Sequence, residues 1–254
     1  MLNIQRLDYI LKELRDKKTV YVADLAERYY VSPSTIRRDL ASLEREGIVR
    51  RIYGGAVLIE RDTSEIPYLI RQNERQQEKD TLCALAAELV QDDMMIYLDH
   101  TSTAVNMVKF LVSKKNLKIL TTSLQAAASC LDSLSASVYC TGGWLNPKLR
   151  GFTSEAARRQ LACFYPDLSF FSARALSLEA GVTDVNEEDI FLKQEVLKRC
   201  KTSVLLCDGS KWGKISYRKL CELSELDAIV TDQKPDSRWM TALAEQKVRL
   251  YYPK

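Results

Sequence analysis

The chain has 254 residues, which is room for a small domain and a second one large enough for its own core. Its 46% hydrophobic and 28% charged residues are those of an ordinary soluble globular protein, and a net charge of only +3 excludes bulk electrostatics as the means of holding nucleic acid. Seven cysteines without a Cys-x-x-Cys pair read as buried reduced thiols rather than a disulfide framework, and the single histidine, His100, argues against a metal site, so no cofactor is expected.

At the N-terminus, charge at Arg6 and Asp8 interrupts any signal-peptide core, and no apolar run reaches membrane-spanning length. A cytoplasmic protein without a membrane partner is expected. Ile4, Leu7, Ile10, Leu11 and Leu14 recur at helical spacing and predict a helix from about residue 3 to Arg15. Val22, Leu25 and Ala26 give a second, short helix its apolar side, and residues 29–31 make a turn of the length found inside a helix-turn-helix. Val31-Ser-Pro-Ser-Thr-Ile-Arg-Arg-Asp-Leu40 then supplies a cap and an arginine-bearing helix. The Ser32 hydroxyl can accept from the free N–H groups of the first turn, and Pro33 sits where a helix tolerates proline best, so the third helix begins at Pro33. At about 100° per residue, Ile36, Leu40 and Leu43 share one arc, Ser34, Arg38 and Arg45 point the other way, and Arg37 lies on the flank.

After Gly47, residues 48–52 read as a strand, Tyr53-Gly54-Gly55 as a tight turn and residues 56–59 as the returning strand, which completes a winged helix. Ser32, Ser34, Thr35, Arg37 and Arg38 are the expected DNA-contacting set on the helix, able to bind phosphates and fork onto guanine edges. Arg50, Arg51 and Tyr53 are the expected backbone-contacting set on the wing. Residues 1–60 hold eleven Lys and Arg against nine Asp and Glu, so affinity must come from the placement of arginines and from dimerisation. This run, with Leu43-Glu44, Gly47-Ile48-Val49-Arg50-Arg51 and Tyr53-Gly54-Gly55-Ala56, resembles the DNA-binding domain of DeoR-family bacterial transcription regulators, with Tyr53 where the family often has histidine. The resemblance implies double-stranded operator DNA as a partner, a homo-oligomer, and the action of a repressor.

Between Glu60 and Lys79 the composition turns polar, with Arg61, Asp62 and Glu65 among the charges, and residues 61–78 read as a linker running into a helix. Beyond it helix and strand alternate. Helices are expected at 82–90, 103–112, 124–131, 155–163, 187–199 and 238–246, and strands at 94–98, 117–120, 137–140, 168–171, 203–207 and 228–231. The fold class is therefore α/β: an N-terminal winged helix-turn-helix, residues 1–60, followed by a larger, mostly parallel-sheet α/β domain, residues 79–254, for effector binding and oligomerisation. Ligands of such sheets sit beyond the carboxyl ends of strands, where helix starts gather free N–H groups. Asp99-His100-Thr101-Ser102-Thr103, Thr121-Thr122-Ser123, Gly142-Gly143 and Asp208-Gly209-Ser210-Lys211 all fall at such ends. Each alone is an ordinary set of helix caps. Together, with Lys211 and Lys193 adding positive charge, they suit a phosphorylated polyol.

From about Arg71 to Asp232 the chain again resembles the DeoR family, through Glu78-Lys79, Gly151, Gly181-Val182-Thr183, Thr231-Asp232 and the strand-end residues just named. The resemblance implies an effector domain similar in fold to sugar-phosphate isomerases, whose pocket is lined by Asp99, Ser102, Thr103, Thr121, Ser123, Lys193 and Lys211. Three residues depart from the family pattern: Thr101 and Ser172 stand for glycine and Thr122 for asparagine. A Cβ at position 101 is expected to exclude positive-φ conformations and to hold ligand away from the loop amides, and loss of the carboxamide removes a group that both donates and accepts. The leading reading is a regulator of a sugar or sugar-derivative operon, released or modulated by a phosphorylated sugar-like effector. One alternative is a regulator whose second domain is a ligand-blind oligomerisation module. The other is an isomerase-like enzyme with Asp99 or Asp208 as base and Lys211 as electrostatic partner; without a clear acid/base pair it has no catalytic residue to assign.

Overall fold

A computed structural model describes residues 3–45, 47–59 and 68–254, which fall into two compact units, Met1–Glu74 and Arg75–Lys254. The side chain of Ile4 and the linker positions Arg61, Asp62 and Glu65 lie outside what is described.

The first unit comprises α1 (Asn3–Lys17), β1 (Thr19–Tyr21), α2 (Val22–Arg28), α3 (Pro33–Arg45), β2 (Val49–Ile52), β3 (Gly55–Leu58) and α4 (Tyr68–Asn73). Ile10, Leu11 and Leu14 of α1, Leu25 of α2, and Ile36, Leu40 and Leu43 of α3 form its core, each almost fully buried. Burying one such side chain contributes roughly 1.5–3 kcal/mol. The three strands form an antiparallel sheet in the order β1-β3-β2. Three residues are too few for an alternation to register in sequence, which is why β1 was not anticipated. Its pairing explains the paired glycines. Gly54 takes φ +76° in the turn, and a Cβ on Gly55 would lie 2.1 Å from the Val20 carbonyl oxygen.

The stretch 61–78, expected as a linker running into a helix, already holds a short helix on its C-terminal side. Residues 68–73 form α4, with Tyr68 buried and Leu69 and Ile70 packed on the winged-helix core, because this apolar triplet interrupts the polar run.

The second unit begins with α5 (Gln76–Ala87), β4 (Met95–Leu98), α6 (Ser102–Asn106), β5 (Lys118–Thr121), α7 (Leu124–Ser133), β6 (Ser137–Cys140), β7 (Trp144–Asn146), β8 (Gly151–Thr153) and α8 (Glu155–Leu161). It continues with β9 (Leu168–Phe171), β10 (Ala175–Ser177), β11 (Gly181–Asp184), α9 (Glu187–Leu197), β12 (Thr202–Leu206), β13 (Arg218–Cys221), β14 (Ala228–Val230), α10 (Ser237–Glu245) and β15 (Arg249–Tyr251). A seven-stranded parallel sheet runs β15-β14-β12-β9-β4-β5-β6. Its order reverses at the β4/β9 pair: β5 and β6 extend to one side, β12, β14 and β15 to the other. Alternating strand residues feed opposite faces, Leu98, Phe170 and Leu206 to one core, Phe171, Leu205 and Ile229 to another.

The hairpin β7–β8 and the antiparallel sheet β10-β11-β13 were not expected from the sequence. All but two of their strands have three residues, and β13 reaches β11 across a helix and a strand. Among the described residues no helix is long and apolar enough to cross a membrane, and no cluster of His, Cys, Asp and Glu is arranged to hold a metal ion. Cys83, Cys130, Cys207 and Cys221 are buried, whereas Cys140 and Cys163 are exposed. Burial pushes the Cys83 and Cys207 thiols up to about 12, which keeps them protonated and inert.

Candidate nucleic-acid interface and effector site

Helix α3 starts as its residues dictate. The Ser32 Oγ accepts from the Thr35 N–H at 3.2 Å and lies 2.8 Å from Ser34 Oγ and 2.9 Å from Thr35 Oγ1. With Ile36, Leu40 and Leu43 in the core, Ser34, Arg37 and Arg38 are left exposed on the opposite face and flank. On the wing Arg50 and Arg51 are exposed and Tyr53 is fully so, at the β2–β3 turn. All eight expected contact positions thus belong to one unit, with Thr35 half-buried.

Two carboxylates, Asp39 and Glu44, organise this surface. Asp39 lies on the buried side of α3 and receives Arg6 of α1, Nε at 2.5 Å and a terminal nitrogen at 3.1 Å. Its place beside Leu40, three residues past Ile36, was the available signal; its partner 33 residues away was not legible. Glu44 reaches across to the wing and accepts both the backbone N–H and the Nε of Arg51. Tyr29 and Lys17 hydrogen-bond to Glu13, which also pairs with Arg28, tying α1 to α2.

In the second unit the expected effector residues separate into two groups. Asp99 follows β4 at the point where the strand order reverses, and it is fully buried. Its Oδ1 accepts from the Thr101 N–H (2.8 Å) and hydroxyl (2.5 Å), and its Oδ2 from the Ser172 N–H (3.1 Å) beyond β9. Ser172 Oγ donates to the Leu206 carbonyl at 2.6 Å and accepts from Lys211 Nζ at 2.6 Å. Lys211 is partly exposed and lies 3.6 Å from Asp208. Burial alone would raise the Asp208 carboxyl, but Lys211, the Ser210 hydroxyl and N–H, and Arg75 together hold it below the usual range. Ser102 and Thr103, at the start of α6, are buried beside this chain of contacts.

The other group is consumed by the fold. Lys193 does not stand as a free cation, contrary to expectation. It is fully buried, 2.9 Å from Asp184, 2.7 Å from Asp189 and 3.7 Å from Asp99. Burial pulls its pKa down, yet the three carboxylates more than offset that and raise it. Around it negative charge is in excess, so an anion gains nothing there. Asp189, four residues before Lys193 on the same helix, was visible in sequence; Asp184, on β11, was not. His100 lies against the same cluster, its Nε2 3.5 Å from Asp189. Thr121 Oγ1 donates to the Leu98 carbonyl and accepts from Ser123 N–H, while Ser123 Oγ caps α7 through Ala126. Both hydroxyls are buried and hold strand ends together.

The departures from the family pattern also read differently in three dimensions. Thr101 sits at φ −68° as the cap of α6, a conformation open to any residue, so its Cβ causes no strain. Thr122 approaches the buried Tyr97 hydroxyl at 3.2 Å, and Ser172 is the link between Asp99 and Lys211.

Known proteins match both units. A DeoR-like helix-turn-helix domain covers residues 6–62 and a DeoR C terminal sensor domain residues 74–233. The chain is 31% identical over 250 residues to an uncharacterized HTH-type transcriptional regulator, YulB, of Bacillus subtilis, covering 98% of this chain and 96% of that one. It is 27% identical over 231 residues to a putative aga operon transcriptional repressor of Escherichia coli O157:H7, covering 90% of this chain and 86% of that one. Among solved structures, ribose 5-phosphate isomerase A of Methanocaldococcus jannaschii overlaps 53% of this chain and 53% of its own, at 18% identity and a TM-score of 0.39. The chain belongs to the DeoR family and is a DNA-binding transcriptional regulator, not an enzyme.

Proposed function

We propose that the chain represses a sugar or sugar-derivative operon by binding double-stranded operator DNA through α3 and the wing, and that a phosphorylated sugar-like effector at the second unit releases it. The observation that carries the DNA half is the exposed Ser34–Arg37–Arg38 side of α3 next to an exposed, Glu44-anchored Arg51. Arginines on the helix read base edges, and those on the wing hold phosphates. For the effector half, support comes from Lys211 over Ser172 and Asp99 at the sheet's switch point, where the strand ends offer hydroxyls beside the partly exposed Lys211 and, across Asp208, Arg75. A relative described as an operon repressor favours repression over activation. Release requires that the effector prefer the DNA-incompetent state, since equal affinity for both states shifts nothing.

The test is a titration of operator-bound protein with a panel of sugar phosphates, read by fluorescence anisotropy alongside thermal stability. A true effector at about 100 times its Kd adds roughly 2.7 kcal/mol of stability and frees the DNA. A second reading, a sensor unit that binds no ligand, is favoured by the hydroxyls of Thr101, Thr121 and Ser123 being spent on capping and strand contacts. It predicts operator binding indifferent to every member of the panel.

A further inference from the structure

Residues 119–147 carry one charged side chain, Asp132, in a chain that is 28% charged. Burial does not account for this. Leu131 is 77% and Trp144 73% exposed, and Leu124, Tyr139 and Leu145 are exposed as well. These residues lie on α7, β6 and β7, and α7 packs against β6 and β8 while β7 pairs with β8, so the elements adjoin one another. Charge depletion with exposed aromatic and aliphatic side chains distinguishes the centre of a protein interface from ordinary surface.

Strand β6 adds main-chain groups to that face. It is the last strand on one side of the seven-stranded sheet. Ser137 and Thr141 donate their N–H groups to Leu117 and Thr121, so by the alternation of a strand the N–H groups of Val138 and Cys140 point away from the sheet. Edge strands are normally blunted by lysine, proline, an inward charge or a bulge. Ser137-Val138-Tyr139-Cys140 has no charge and no proline, whereas the opposite edge, β15, carries Arg249.

We propose that this face of α7, β6 and β7 is where a second copy of this chain docks. Its charge pattern selects the occupant. Nucleic acid requires cations, and residues 119–147 contain none. A charged protein partner would need complementary charge, and Asp132 is all that is offered. A second copy presents the same uncharged strand and the same uncharged helix side, which a two-fold axis can bring together without setting like charges in rows. The regulator reading supplies the use: one winged helix engages one half-site, and a tethered second head raises affinity through effective concentration. Only that use rests on the DNA reading; the composition of the face does not.

Leu131→Glu and Trp144→Glu test the proposal in the full chain, at positions too exposed for either to carry the core. Tyr217→Glu, an exposed aromatic outside the face, is the control. In sedimentation velocity across a concentration series, the parent and Tyr217→Glu should self-associate, while Leu131→Glu and Trp144→Glu, with parent-like circular dichroism, should associate at least about tenfold more weakly, the size of change expected from one or two hot-spot positions. Labelling of Cys140 by a thiol reagent should slow in the parent as its concentration rises through the association range. A monomeric parent, or two variants that associate like the parent, overturns the proposal, as does Cys140 labelling indifferent to association. A parent that associates through this face yet ignores DNA would instead count against the regulator reading and leave the interface standing.

Discussion

Glu44, in the last turn of α3, holds the wing residue Arg51 at two points, its backbone N–H at 3.0 Å and its Nε at 2.5 Å. The backbone bond first, and the side-chain bond after it, keep the Glu44 carboxyl below its usual range. The contact locks wing to helix and occupies only the Nε of the guanidinium, leaving the paired terminal nitrogens that suit a phosphate.

Arg38 and Arg51 should therefore fail differently when replaced. Arg38→Ala removes an exposed guanidinium with no core role, and operator affinity should fall by about 1–3 kcal/mol with relaxed base preference. Arg51→Ala should weaken operator and unrelated DNA alike and reduce the salt slope by about 1. Anisotropy titrations of both DNAs at two salt concentrations separate the two patterns; identical losses on both DNAs for Arg38→Ala would refute its assignment to the bases.

The buried Arg6–Asp39 pair sets where α3 lies against α1. Arg6→Leu strands a buried carboxylate and should cost about 3–5 kcal/mol, whereas the double replacement Arg6→Leu with Asp39→Leu should recover much of that loss. Urea melts of the two variants decide it. A double variant no more stable than Arg6→Leu would mean that packing, not the stranded charge, dominates.

Lys193 gives a stability prediction with a definite sign. Its folded pKa is raised above the ordinary lysine value of 10.5, so its stabilising effect is fully present below that pH and is lost only as the pH climbs beyond it. Lys193→Met leaves buried carboxylates without their cation and should cost about 3–5 kcal/mol at neutral pH. The deficit should shrink toward pH 5, because uncompensated buried carboxyls take up protons readily. Melts at the two pH values check this, and a deficit that grows on acidification would contradict the ion-cluster account.

At the sensor unit, Lys211→Ala should abolish release of DNA by any sugar phosphate that frees the parent, with DNA affinity in the absence of ligand nearly unchanged. Thr101→Gly should cost stability rather than open a pocket, since it removes the α6 cap and the hydroxyl bonded to Asp99. Glycine in place of a capping threonine costs only a few tenths of a kcal/mol, and losing the hydroxyl bond to the buried Asp99 carboxylate adds about 1.5–3 kcal/mol, so a variant as stable as the parent would argue against this placement.

The sequence alone determined α3, the wing and the chain order of the main helices and strands. These depend on short-range chemistry: the Ser32 cap, the Ile36–Leu40–Leu43 stripe and the Gly54-Gly55 turn are complete within a few residues. It also placed Asp99, Ser102, Thr103 and Lys211 at strand ends, because the alternation of strand and helix locates those ends. Tertiary structure decided which of those polar groups remain available. Lys193 reads as a cation beside a pocket until β11 brings Asp184 to it, and Thr121 reads as a ligand donor until its hydroxyl meets the Leu98 carbonyl of the neighbouring strand. The short strands β1, β7, β10 and β15 escaped notice for a related reason. Three residues carry no periodicity of their own; β7 and β10 form only by pairing with the next strand, and β1 and β15 by pairing with strands far away in sequence.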